Sequence, residues 1–175
     1  MDNNHNLKMS VVFSLLCVNE LQVPASLAAA LQSELVKSML DERVEETSVI
    51  PLLEIKNVDL FHLLIEWCEY HVQDPCQVYT GDNTRGKRFH EIVCTYDQLF
   101  LNGLSKPELI EMLKMSEYMQ IETLTSLLMY FIANYIKETD ISQLKEWLEI
   151  TVDITNEEEY EIRQRYPGVF SPNKI

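Results

Sequence analysis

Two groups of side chains have types and spacings that could do chemistry: Cys68-x2-His71-x4-Cys76, and His90-x3-Cys94 after it. Thiolates and neutral imidazoles are the ligands zinc prefers, so a metal is the first thing to test. The spacing matches no zinc-finger pattern closely. Cys68 also falls on an apolar helical stripe, where a free cysteine acts as a small hydrophobe, and His71 stands near a helix end, where imidazole can face the last carbonyls. Packing therefore outranks ligation, and no metal or cofactor is expected. None of the four histidines stands in a nucleophile motif, and four well-separated glycines cannot build a phosphate-cradling loop. Glu157, Glu158 and Glu159 open a helix, where negative charge opposes the dipole, so capping outranks acid–base work. Arg85, Lys87, Arg88 and His90 form a short basic cluster in a loop, read as solvated. A protein that is not an enzyme is expected.

The elements that carry these residues belong to a chain of 175 residues, enough for one domain, or one domain with an appendage. Apolar residues make up 46% and charged residues 24%, which suits an ordered globular protein. Twenty-eight Asp and Glu against fourteen Lys and Arg leave a net charge of −14. Such a surface repels phosphate backbones, so no nucleic-acid partner is expected. Neither is a membrane partner, since no apolar run approaches the roughly 20 residues of a bilayer span. The opening Met-Asp-Asn-Asn-His-Asn has no basic region followed by an apolar core, so cytoplasmic and nuclear localisation is expected, with reduced thiols.

Residues 1–9 are polar and read as a disordered N-terminus. The run Val11–Val18, a turn at Asn19-Glu20 and Leu21–Val23 predict a hairpin, with Pro24 in the first turn of an Ala-rich helix. A helical pattern over Ser33–Leu40 leads to an acidic loop, Asp41–Glu46. Val49–Leu53 reads as a strand whose Pro51 suits a sheet edge. Asn57 can cap a helix with Phe61, Leu64, Ile65, Cys68 and Val72 on one stripe. Periodicity is then absent over 73–95, which reads as a long mobile loop. Capping patterns at Ser105–Glu108, Asp140–Gln143 and Thr155–Glu158 predict helices over 106–119, 141–149 and 156–165, with another over 122–137.

The breadth of apolar surface on these last helices is informative. Leu109, Met112, Leu113, Ser116 and Met119 share one core-facing arc, and Tyr118 lies nearly opposite its centre, where it is expected to be exposed. Over the next helix, Ile121, Leu124, Leu127, Leu128, Met129, Phe131, Ile132, Tyr135 and Ile136 cover roughly 200° of the circumference, about twice the usual stripe. Either the helix is buried on two sides or one side awaits a partner. Ile141, Leu144, Trp147 and Leu148 make a further stripe, and Tyr160, Ile162 and Tyr166 come after it. Short helices shield one another only in part, and an uncovered apolar face normally binds something.

Six segments, in order, resemble one family. Ile50-Pro51-Leu52 is similar to its "(V/I)PL" strand, Trp67–His71 with Asp74-Pro75 to "WCxxH…DP", and Tyr96–Leu101 to "WDxEFL". Glu117–Ile121 resembles "NYLDI", Ala133–Lys137 "ANMIK" and Thr155–Glu159 "TEEEE". The family is the S-phase-kinase-associated (SKP) adaptors of SCF-type, cullin–F-box ubiquitin ligases, and the resemblance runs from about Ser33 to Arg163. It implies an α-rich α/β fold: a BTB/POZ-like core with a small sheet over 10–138, and a C-terminal F-box-binding helical extension over 139–175. By the same resemblance, Glu117 and Tyr118 stand at the cullin-binding face. Leu124, Leu128, Phe131, Leu144, Leu148, Ile150 and Ile162 stand at positions that bind the F-box.

The implied function is that of an adaptor bridging a cullin to F-box substrate receptors. Glu117 replaces the family's usual Asn, and Tyr166–Phe170 stands where relatives have a Trp, marking a divergent paralogue or a mimic. The alternative is therefore a SKP-like F-box-binding protein that acts outside a ligase, or a competitor that binds cullin weakly. A homodimer that hides its own C-terminal stripe when no F-box protein is present is a further expectation.

Overall fold

A computed structural model describes residues 12–16, 21–41, 49–52, 54–150 and 154–167. The expectations for residues 1–9, for the Asn19-Glu20 turn and for the loop beyond Asp41 lie outside these. The described chain is helix-rich, with one small sheet, and forms two compact units, Met1–Asn134 and Tyr135–Ile175.

The sheet of the first unit has three strands, β1 (Val12–Leu16), β2 (Gln22–Ser26) and β3 (Ile50–Pro51), in the order β2-β1-β3. β1 and β2 are antiparallel, with Leu15 opposite Val23, as a hairpin requires. β3 runs parallel to β1, with Leu15 opposite Ile50, so the chain must cross over through α1 (Leu27–Ala30) and α2 (Glu34–Asp41). Pro51 occupies an edge strand, where a missing N–H costs no ladder bond. Pro24 does not open a helix: it is paired opposite Ser14 within β2, the other edge. The alternation of exposed Gln22 and Pro24 with buried Val23 and Ala25 decides this, and Ser26 rather than Pro24 starts α1 by accepting from the Ala29 N–H at 3.2 Å.

Helix α3 (Val58–Gln73) forms the centre of the core. Asn57 caps it, accepting from the Leu60 N–H at 3.1 Å. Its buried side is broader than the expected stripe, taking in Leu60, Trp67 and His71 besides Phe61, Leu64, Ile65 and Cys68. Glu69 of α3 accepts from both the N–H (2.6 Å) and the hydroxyl (2.7 Å) of Ser26, holding the helix to the end of β2.

The stretch over 73–95 departs from a mobile loop. It contains two single-turn helices, α4 (Gly81–Thr84) and α5 (Phe89–Ile92), and buries Tyr79, Phe89 and Val93. After it come α6 (Thr95–Asn102), α7 (Lys106–Tyr118) and α8 (Glu122–Glu138). Tyr79 stacks on Tyr130 of α8 with ring centroids 5.5 Å apart, and Phe89 meets Tyr130 and Phe131 at 5.4 and 5.3 Å. The Tyr79 N–H also donates to Ser126 at 3.0 Å. Aromatic contacts and a backbone hydrogen bond thus tie this aperiodic segment to α8.

The Ser105 capping box forms as read: Glu108 accepts from the Ser105 N–H at 2.8 Å and from its hydroxyl at 2.5 Å. The division between the two units falls inside α8, four residues before the boundary taken from the resemblance. In the second unit α9 (Ile141–Trp147) and α10 (Asn156–Arg165) complete the helices of the described residues. Asp140 caps α9, accepting from the Ser142 N–H at 3.0 Å, and Thr155 caps α10, accepting from the Glu158 N–H at 3.2 Å. Among the described residues no helix is long and apolar enough to cross a membrane.

Candidate partner-binding surfaces

The first candidate surface lies at the end of α7. The buried arc there contains Leu109, Met112, Ser116 and Met119, with Met115 added and Leu113 only half-buried. Glu117 is exposed. Tyr118 is half-buried rather than exposed. Burial pushes its phenol up from the ordinary value, against the pull of the Glu54 backbone N–H beside the oxygen.

Directly after Tyr118 the helix ends in a tight turn. Gln120 takes a left-handed φ of 55°, and the Ile121 N–H reaches back to the Ser116 carbonyl at 3.0 Å. Ser33 donates to the Met119 carbonyl at 2.5 Å, fixing the turn to the start of α2.

Along α8, burial falls from one end to the other. Leu124, Leu127 and Leu128 have no exposed surface, Phe131 is half-buried against Phe89, and Met129, Tyr135 and Ile136 are exposed. Leu124 and Leu128 are thus core side chains of the first unit and do not present themselves to a partner. The aromatic segment from Tyr79 to Phe89 covers Tyr130 and Phe131 on the same helix.

The second unit holds the remaining predicted positions and exposes most of them. Leu148 is 46% exposed, Ile150 48% and Ile162 38%, while Leu144 is half-buried. The turn after α9 produces this exposure. Leu148 caps the helix, Glu149 takes a φ of 57°, and the Ile150 N–H donates to the Lys145 carbonyl at 3.0 Å. Tyr135 and Trp147 pack with ring centroids 5.1 Å apart, and Arg163 pairs with Glu159 at 2.7 Å along α10. Ile141, Ile154, Tyr160 and Tyr166 are also exposed. Of these, Ile154 has no place in the apolar stripes, because it precedes its helix and has no helical period to reveal it.

The cysteine and histidine groups separate. His90 is exposed and Cys68 is sealed in the core, where burial pushes its thiol up to about 12. His71 meets a residue outside both groups, Asp97 of α6. Asp97 is buried and accepts from the Trp67 indole N–H at 2.7 Å, and His71 Nε2 lies 3.0 Å from the same oxygen. His71 Nδ1 faces the Asp74 carbonyl at 2.5 Å. Burial alone would lower the imidazole's pKa, but the hydrogen bond to Asp97, the Asp74 carbonyl and both nearby charges outweigh it, leaving it raised. Tyr70 and Tyr96 stack 3.6 Å apart beside it. The motif similar to "WCxxH…DP" and the one similar to "WDxEFL" therefore meet as a buried clasp between α3 and α6.

A helix-rich unit with a small sheet, joined to a unit that exposes its apolar residues, is the architecture of a protein that works by binding others. Residues 122–168 match the Skp1 family, dimerisation domain. The chain is 30% identical over 134 residues to the E3 ubiquitin ligase complex SCF subunit sconC of Arthroderma benhamiae, covering 76% of this chain and 79% of that one. It is 27% identical over 156 residues to sconC of Talaromyces marneffei, covering 89% and 95%. It is also 26% identical over 135 residues to the SCF ubiquitin ligase complex protein SKP1a of Dictyostelium discoideum, covering 77% and 81%. The chain belongs to the Skp1 family.

Proposed function

We propose that the chain is an adaptor subunit of an SCF-type E3 ubiquitin ligase, bridging a cullin to F-box substrate receptors. Leu148, Ile150 and Ile162, exposed in the segment that matches the family, carry this reading. Apolar side chains left in water on short helices gain about 25 cal/mol per Å² when a partner covers them. Half-buried Leu144 completes the apolar set that this unit offers to the F-box, and half-buried Phe131, in the first unit, is assigned to the F-box by the same resemblance. Glu117, exposed, and Tyr118, half-buried, form the cullin face, in the other unit. The protein itself performs no chemistry: two interfaces on one chain raise the effective concentration of substrate lysines near a ubiquitin-charged enzyme. It acts in the cytoplasm and nucleus.

Separate faces make separable variants. Leu148→Glu places a charge in an apolar contact and weakens F-box binding by about tenfold or more, leaving cullin binding intact. Tyr118→Ala does the reverse. Titration of purified cullin and F-box protein against each variant tests this, and equal loss of both partners in either one overturns it. Light scattering of the chain alone tests whether it covers its own apolar face as a homodimer.

A further inference from the structure

His71 Nδ1 faces the Asp74 carbonyl at 2.5 Å, and its Nε2 faces an Asp97 oxygen at 3.0 Å. The second Asp97 oxygen lies 3.8 Å from the Cys76 sulfur, and the donor atoms of His71, Cys76 and Asp97 all fall within 4.8 Å of one another.

We propose that His71 Nε2, Cys76 Sγ and an Asp97 carboxylate oxygen form a zinc-binding site, with water in the fourth position. Bonds of about 2.0–2.3 Å to N, O and S give a tetrahedron with edges of about 3.3–3.8 Å. His71 Nε2 and Cys76 Sγ approach different oxygens of the one carboxylate, at 3.0 and 3.8 Å, and the three donor atoms lie within 4.8 Å of one another, so the tetrahedron closes once the carboxylate turns one oxygen toward both. The outer contacts are those a zinc histidine normally has. Nδ1–H donated to the Asp74 carbonyl fixes the tautomer and aims Nε2 inward, and the Trp67 indole N–H holds the carboxylate by the oxygen that faces Nε2. A thiolate ligand excludes magnesium and calcium, which take oxygen. Cys76 is half-buried, so the ion enters from its side, while His71 and Asp97 are sealed. Binding releases the thiol proton to solvent.

The test uses cobalt as a spectroscopic substitute for zinc. Titrated into the full chain, Co2+ is expected to bind once, with intense tetrahedral visible bands and a thiolate charge-transfer band, both abolished by Zn2+. Cys76→Ser should remove the charge-transfer band and weaken binding by at least about 100-fold, more than loss of an outer-shell partner does. Trp67 fluorescence checks that this variant stays folded. His90→Gln, outside the cluster, should change nothing. Absence of stoichiometric uptake, a weak octahedral spectrum, or an unchanged spectrum in Cys76→Ser overturns the site.

Discussion

Helices α7 and α9 end in the same backbone figure. In each, a non-glycine residue takes a left-handed φ near 56° (Gln120 at 55°, Glu149 at 57°), and the following isoleucine donates its N–H to a carbonyl five residues back. In both cases that isoleucine is the apolar residue such a turn usually packs against its helix. Ile121 is 1% exposed and Ile150 48%. The difference lies in what surrounds the turn. Ser33 and the Glu34 N–H bind the carbonyls of Met119 and Gln120, bringing α2 over the first turn. In the second unit, Leu148 and Ile150 lie on either side of the turn in water. A motif sets where a side chain points, and the rest of the unit decides whether it becomes core or contact surface.

The comparison breaks first if burial is not what separates the two regions. Leu128→Ala removes a fully buried side chain and is expected to cost about 2–5 kcal/mol of the first unit's stability. Ile150→Ala should stay within about 0.5 kcal/mol. Each unit carries one of the chain's two tryptophans, Trp67 and Trp147, so urea unfolding read by fluorescence in single-tryptophan backgrounds distinguishes them. Equal losses would refute the assignment of Leu128 to the core.

A smaller effect sharpens the comparison of the turns themselves. A left-handed residue with a Cβ costs about 1–2 kcal/mol, which glycine avoids. Gln120→Gly is expected to stabilise the unit reported by Trp67 by up to about 1 kcal/mol, while Glu149→Gly should move only the Trp147 transition. A loss of stability in Gln120→Gly would show that its side chain supports the turn in another way.

The smallest effect is on the capping boxes. Hydrogen bonds from the Ser105 hydroxyl and N–H hold Glu108 below the ordinary 4.5, and those from the Thr155 N–H and hydroxyl do the same for Glu158. A lowered folded value means the contribution is whole above pH 4.5 and is lost as pH falls through that lowered value. Both starts weaken on acidification. Only α10 should fray, because α7 is also held by Leu109 and Met112 in the core. Amide exchange at the Thr155 and Ser105 N–H groups reads this, and Glu158→Gln should remove the pH dependence at α10.

The helix starts at Ser105, Asp140 and Thr155 and the Asn57 cap are legible because each depends on residues at most four apart, and Pro51 reads as an edge residue because its ring lacks the N–H a central strand needs. Pro24 misleads because its ring suits either a helix start or an edge strand, and only pairing with β1 chooses. The segment from Tyr79 to Phe89 has no period to read: its partners, Tyr130 and Phe131, lie more than 40 residues on. For the same reason the broad apolar arc of α8 is open to two readings, and in sequence Leu124 and Leu128 fit a partner's surface as well as they fit the core. Asp97 gives no sign of its role, since a lone carboxylate in a helix's first turn normally caps it.

The starts of the capped helices, the apolar residues, the acidity of the chain and the family its motifs resemble can be read from the chain alone. These follow from short-range hydrogen bonding and from side-chain type. Only the tertiary structure decided which apolar residues remain in water, that Tyr118 is half-buried, and that His71, Cys76 and Asp97 converge. Those outcomes depend on which distant segment covers a given face, and local chemistry carries no record of that.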